Sequence, residues 1–212
     1  MNGLKKWQYQ CIARNMVEIL KAKQYDAHYA EDAGAARKIV LDMIPENSVI
    51  GLGGSVTLKE MGIPEIFRQR PYKLIDRYNQ PSWEAELQAY RDAQHSDYFV
   101  CGTNAITEKG ELVNMDSSGN RVSSMIFGPQ RVIIVAGANK VVGTLEDAMK
   151  RLKQIAPLNC RRLGHKTPCA VTGKCEDCNI QARMCNYTTI IHHGMKFQGR
   201  ISVVLIAEDI GF

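Results

Sequence analysis

Apolar residues recur three and four apart through residues 4–22, where Leu4, Trp7, Cys11, Met16, Ile19 and Leu20 share a side, and the spacing predicts an amphipathic helix. Tyr25 to Tyr29 reads as a short strand. Residues 31–43 read as a second helix, with Glu31 and Asp32 at the end where the helix dipole favours acids. Pro45-Glu46-Asn47 breaks the chain before an apolar strand at 48–52, which runs into Gly53-Gly54-Ser55. Thr57 to Met61 reads as a helix stopped by Gly62 and Pro64. Tyr72 to Asp76 is strand-like, and Ser82 to Gln94 reads as a helix with Trp83, Leu87 and Tyr90 on one side. Residues 97–101 form a continuous apolar strand, and two short strand pieces lie within 105–115 about the turn Glu108-Lys109-Gly110. The most apolar strand is 131–136, followed by a helix over 144–155 in which Thr144 and Asp147 have capping-box spacing. All-apolar strands alternating with helices predict an α/β domain whose mainly parallel sheet is covered on both faces. Beyond Pro157 periodicity fades, so 158–186 reads as a cysteine-rich insertion. Residues 187–192 and 201–207 then read as strands of a closing C-terminal hairpin, giving one domain over 1–212.

Composition narrows the class. The chain has 212 residues, 45% hydrophobic and 23% charged, which excludes a disordered or collagen-like chain. No window of eighteen uncharged apolar residues exists, so no helix is expected to span a membrane. The start lacks the apolar core of a secretory signal, and a cytoplasmic protein is expected. With 27 Lys and Arg against 22 Asp and Glu the net charge is +5. That is low for a nucleic-acid binder and compatible with a small anionic ligand. Neither a Gly-x-Ser-x-Gly elbow nor a His-Glu-x-x-His pair occurs, so hydrolase and zincin chemistry lack support. His192 and His193 alternate to opposite faces of a strand and do not form a pair.

Two loops carry candidate chemistry. After the strand at 48–52, Gly53 and Gly54 let backbone amides approach a ligand, while Ser55 and Thr57 offer hydroxyls at a helix start that favours anions. After the strand at 97–101 comes a polar stretch with Asn104, Glu108, Asn114, Asp116, Asn120 and Arg121. Arg121 is the expected fork for a carboxylate or phosphate, and Glu108 and Asp116 are the acids there that could act as base. Both loops follow strand ends, where open α/β sheets bind ligands, so they are expected to meet over one edge. Purely structural turns remain the alternative for both.

Five of the seven cysteines crowd into 160–185. Cys169, Cys175, Cys178 and Cys185 give the spacing Cys-x5-Cys-x2-Cys-x6-Cys, which suits a tetrahedral zinc site or a [4Fe–4S] cluster without choosing between them. Cys160 and His165 are further participants to consider, and reduced thiols packing a loop are the alternative.

The runs Gly53 to Gly62, Gly102 to Thr107, Gly119-Asn120-Arg121 and Val135 to Val142, in that order, resemble the LUD (lactate utilisation) domain family over roughly residues 10–157. The C-terminal part resembles its short single-domain members. The resemblance implies a three-layer α/β/α fold similar to sugar-phosphate isomerases and CoA transferases. It also implies a link to oxidation of L-lactate to pyruvate, worked alongside iron–sulfur partner proteins. It tips the cysteine cluster towards iron–sulfur, although the ferredoxin-type cysteine run of larger members is missing. The ligand positions it implies are Gly53, Gly54, Ser55, Thr57, Asn104 and Asn120, with Glu108, Asp116 and Arg121 as candidate catalytic residues. Two other readings stand beside this one: an isomerase- or CoA-transferase-like enzyme acting on a sugar phosphate or CoA ester, and a non-catalytic assembly subunit with structural zinc. Whether the chain catalyses a step, and whether it forms a homo-oligomer, is left open.

Overall fold

The computed structural model describes residues 3–69 and 71–212, so Met1 and Asn2 of the start read above lie outside it. In chain order the elements are α1 (Gly3–Ala22), β1 (Asp26–Ala30), α2 (Ala33–Asp42), β2 (Val49–Leu52), α3 (Val56–Glu60), α4 (Ile63–Gln69), β3 (Lys73–Ile75) and α5 (Trp83–Asp92). They continue with β4 (Tyr98–Gly102), β5 (Ala105–Thr107), β6 (Leu112–Asp116), α6 (Asn120–Ile126), β7 (Arg131–Gly137) and β8 (Val141–Val142). The last are α7 (Leu145–Arg162), α8 (Cys169–Thr172), β9 (Tyr187–Ile191) and β10 (Ile201–Ile206).

Six strands form a wholly parallel sheet in the order β1-β10-β7-β4-β2-β3. Side-chain alternation splits each central strand between two cores. Phe99, Cys101, Val132, Ile134, Val203 and Leu205 pack with Met16 and Leu20 of α1 and Met125 of α6. Val100, Ile133, Val135, Val204 and Ile206 pack with Val40 of α2, Leu58 of α3 and Phe67 of α4. Burial on both faces is why these strands read as unbroken apolar runs, and it gives the expected three-layer α/β/α arrangement. A second sheet, β8-β5-β6-β9, carries a small core against Ala148 and Leu152 of α7.

The structure corrects three sequence expectations. The C-terminal strands do not form a hairpin: β10 lies between β1 and β7 in the main sheet, while β9 pairs antiparallel with β6 in the other. The helix begun at Thr144 does not end at Ile155 but runs through Pro157 to Arg162, and both predicted capping-box hydrogen bonds form. Pro64 does not end a helix; it sits at the second position of α4, where its missing N–H would have no intrahelical partner.

Candidate functional site

Adjacent strands β7, β4 and β2 end at the same edge, and three connections leave from there. Gly53-Gly54-Ser55 follows β2, Thr103-Asn104 follows β4, and the short 3-10 turn Ala138–Lys140 follows β7. Beneath them lies a cavity of about 410 Å³, lined among others by Gly54, Ser55, Asn104, Asp116, Asn120, Arg121 and Lys140.

The glycine turn divides its work. A Cβ on Gly53 would stand 2.7 Å from the Cβ of Cys101 and 3.2 Å from the Arg121 side chain, so this glycine serves the packing of the turn against β4 and Arg121. Gly53 and Thr57 are not in the cavity wall. Gly54 faces open space, with Arg77 Nη1 3.7 Å from where a Cβ would be. The Ser55 hydroxyl accepts from Leu58 N–H and caps α3. That helix has only five residues, so the anion-favouring helix start expected from sequence is weak.

Arg121 does not offer a free fork. Its Nε donates to Asp116 Oδ1 (3.0 Å), Nη1 to Gly102 O (2.8 Å) and Asn114 Oδ1 (2.6 Å), and Nη2 to Asn104 Oδ1 (2.8 Å), Asp116 Oδ1 (2.6 Å) and Met115 O (3.2 Å). All five guanidinium N–H groups are engaged by the chain itself. Asp116 is equally occupied, because its Oδ2 also accepts from the backbone N–H groups of Arg121 and Val122 at 3.0 Å and caps α6. This buried pair ties the polar loop together and leaves neither partner free for acid–base work. Glu108 sits exposed in the turn between β5 and β6 and is absent from the cavity wall.

The residue that sequence reasoning missed is Lys140. Its side chain is 3% exposed, its Nζ donates to Thr57 Oγ1 at 2.8 Å, and among the described residues it makes no ion pair. Burial, reinforced by the positive charges of Arg151 and Arg121 and partly opposed by Glu60, pulls the Lys140 ammonium down to about 7. Among the described residues three buried donors lack an acceptor: Arg77 Nε, whose residue lines the cavity, and Asn114 Nδ2 and Arg151 Nη2, whose residues do not. Among the described residues one buried acceptor, Asn139 Oδ1, is also unpaired. Lys140 and Arg77 therefore bring positive charge to the cavity wall. The available signal was position: Lys140 closes the turn after the strongest apolar strand.

The cysteines lie along the same side. Cys185, with Met184 and His165, lines the cavity, whereas Cys169, Cys175 and Cys178 do not. Burial pushes the Cys185 thiol up to about 11, and the neighbouring Cys160, Cys175 and Cys169 add to the shift against the pull of Arg183. Burial also raises the Cys160 thiol, which faces Cys169 and Cys178. Arg183 braces the loop by donating to Cys178 O (2.6 Å), Cys185 O (3.1 Å) and Asp177 Oδ1 (2.8 Å). All seven cysteines are free thiols. Among the described residues no three His, Cys, Asp or Glu side chains are gathered as a ligand set for one metal ion.

The sequence model of the LUD domain matches residues 13–206. No curated protein gives a significant match. Among solved structures, a DUF162 family protein from Deinococcus radiodurans superposes with TM-score 0.52 at 12% identity, covering 93% of this chain and 97% of that one. A D-ribose-5-phosphate isomerase in complex with phospho-erythronic acid gives TM-score 0.35 at 18% identity, covering 60% and 66%. Ribose-5-phosphate isomerase A from Neisseria gonorrhoeae gives TM-score 0.34 at 16% identity, covering 60% and 64%.

Proposed function

The chain belongs to the LUD domain family, and we propose that it serves L-lactate oxidation to pyruvate by holding a small organic anion in the cavity at the ends of β2, β4 and β7. The observation that carries this is Lys140: a buried lysine on the cavity wall that makes no ion pair among the described residues, with Glu60 only partly offsetting its burial. A carboxylate or phosphate there would supply a counter-charge and hydrogen-bond acceptors to Lys140. The Arg121–Asp116 pair positions the polar loop, and Ser55 and Gly54 add the glycine turn to the wall.

Calorimetric titration of L-lactate, pyruvate and inorganic phosphate tests the site. Binding that is lost in Lys140→Met supports the reading, whereas no binding, or unchanged binding in the variant, refutes it. Normal growth on lactate after deletion of the gene would count against the pathway assignment.

The cysteine loop has the donor chemistry of a thiolate-bound centre, with Cys160, Cys169, Cys175 and Cys185 in electrostatic reach of one another beside the cationic Arg183, although among the described residues they are not gathered as a ligand set. Cys169, Cys175, Cys178 and Cys185 would hold it, with Cys160 the nearest addition. A [4Fe–4S] cluster bound there would supply one-electron chemistry, and iron–sulfur partner proteins would then be the electron partners; zinc would supply a cross-link. Because Asn186 N–H donates to Asp116 O at 3.1 Å, this loop is fastened directly to the residue that organises Arg121.

A further inference from the structure

The cavity is larger than a three-carbon acid needs. Its 410 Å³ falls in the range of sites that enclose drug-sized ligands. Lys140 lies at one part of its wall, and a different chemistry lines another. There Arg77 is held against two tyrosine rings, its guanidinium carbon 4.4 Å from the centre of Tyr90 and 5.3 Å from that of Tyr78. Trp83 meets Tyr90 edge-on, with ring centres 6.3 Å apart. Glu86 accepts from Arg77 Nη2 at 3.1 Å and fixes the guanidinium, yet Arg77 Nε is buried without an acceptor. Tyr78 and Trp83 keep 47% and 54% of their surface open, although both line the cavity. The ledge and the glycine turn adjoin, since a Cβ on Gly54 would stand 3.7 Å from Arg77 Nη1 and 3.9 Å from the Tyr78 hydroxyl. Open aromatic surface beside a cation is the arrangement on which flat rings stack with little regard to their identity.

Building on the anion-binding reading, we propose that the cavity takes an organic anion carrying a flat aromatic ring, of the nucleoside monophosphate class. The negative group meets Lys140, and the ring lies on the ledge of Tyr78 and Trp83. L-Lactate alone fills only the part near Lys140.

AMP carries adenine where ribose 5-phosphate has its anomeric hydroxyl, so titrating both reads the contribution of the ring. AMP is expected to bind roughly ten-fold or more tightly than ribose 5-phosphate. That advantage is expected to vanish in Tyr78→Ala/Trp83→Ala while ribose 5-phosphate affinity holds. The chain has two tryptophans, so in Trp7→Phe the fluorescence reports Trp83 alone. AMP is expected to quench it and ribose 5-phosphate to leave it unchanged, a readout that does not depend on the double variant folding. Equal affinities, or a preference that survives loss of both rings, would overturn the ring assignment while leaving anion binding intact. Ribose 5-phosphate binding that survives Lys140→Met would overturn the anion reading, failure of AMP to bind would overturn the nucleotide proposal, and failure of lactate, pyruvate and phosphate as well would overturn both.

Discussion

Replacing Lys140 by Met should stabilise the protein while removing its anion site. A lysine is charged in the unfolded chain up to about 10.5, but burial and the nearby guanidinium groups hold Lys140 at about 7 in the folded one. At 1.36 kcal/mol per pH unit that interval amounts to about 5 kcal/mol against the folded state, present in full below pH 7. The sign follows from proton counting. Between pH 7 and 10.5 the unfolded chain binds more protons at this site than the folded one, so stability rises with pH across that window. Methionine has no charge to bury and a similar length. It forfeits the 2.8 Å hydrogen bond to Thr57, worth about 1 kcal/mol. The variant should therefore gain roughly 2–4 kcal/mol at pH 6, or roughly 5–10 °C in Tm for a chain of this size. The advantage should shrink as pH climbs towards 10. Denaturant unfolding of both proteins at pH 6, 7, 8 and 9 measures it. A variant that is less stable at pH 6, or a gap that does not change with pH, would refute the reasoning.

Other consequences can be checked with the same methods. Asp116→Ala leaves the buried Arg121 guanidinium without its counter-charge and removes the cap on α6, and should cost about 3–5 kcal/mol in denaturant unfolding. Gly53→Ala puts a methyl 2.7 Å from Cys101 and should cost about 1–3 kcal/mol, whereas Gly54→Ala meets only the ends of Arg77 and Tyr78 at ordinary contact distance and should fall within about 0.5 kcal/mol of wild type. Anaerobically purified protein should carry iron with acid-labile sulfide and a broad absorbance near ~400 nm. Colourless protein with one bound zinc would instead assign the cysteine loop a structural role.

The central strands were legible because they are buried on both faces: 131–136 admits no polar side chain on either side once past Arg131. The two C-terminal strands are neighbours in sequence but differ in burial pattern, which is why they join different sheets. Every residue of β10 is buried, as suits a strand between two parallel neighbours, whereas β9 is exposed or half-buried throughout, as suits an edge. The helix past Pro157 was missed because a proline reads as a stop. The chain forgoes one hydrogen bond there and places Arg161 and Arg162 at the end where the dipole favours cations. Both loops of the candidate site could be found from their positions after strands, but side-chain direction could not. Whether Arg121 faces a ligand or Asp116 depends on five acceptor atoms, all within Gly102 to Asp116, folding around it. The burial of Lys140 was not legible locally, since its hydrogen-bond partner, Thr57, lies 83 residues away in the chain.

The central claim is that a negative group sits against Lys140. A crystal soaked in bromide and measured for anomalous scattering addresses it directly. The account predicts a peak in the cavity, roughly 3–3.5 Å from Lys140 Nζ, that disappears in Lys140→Met crystals. Bromide bound only at exposed lysines and arginines, with the cavity left to water, would contradict it.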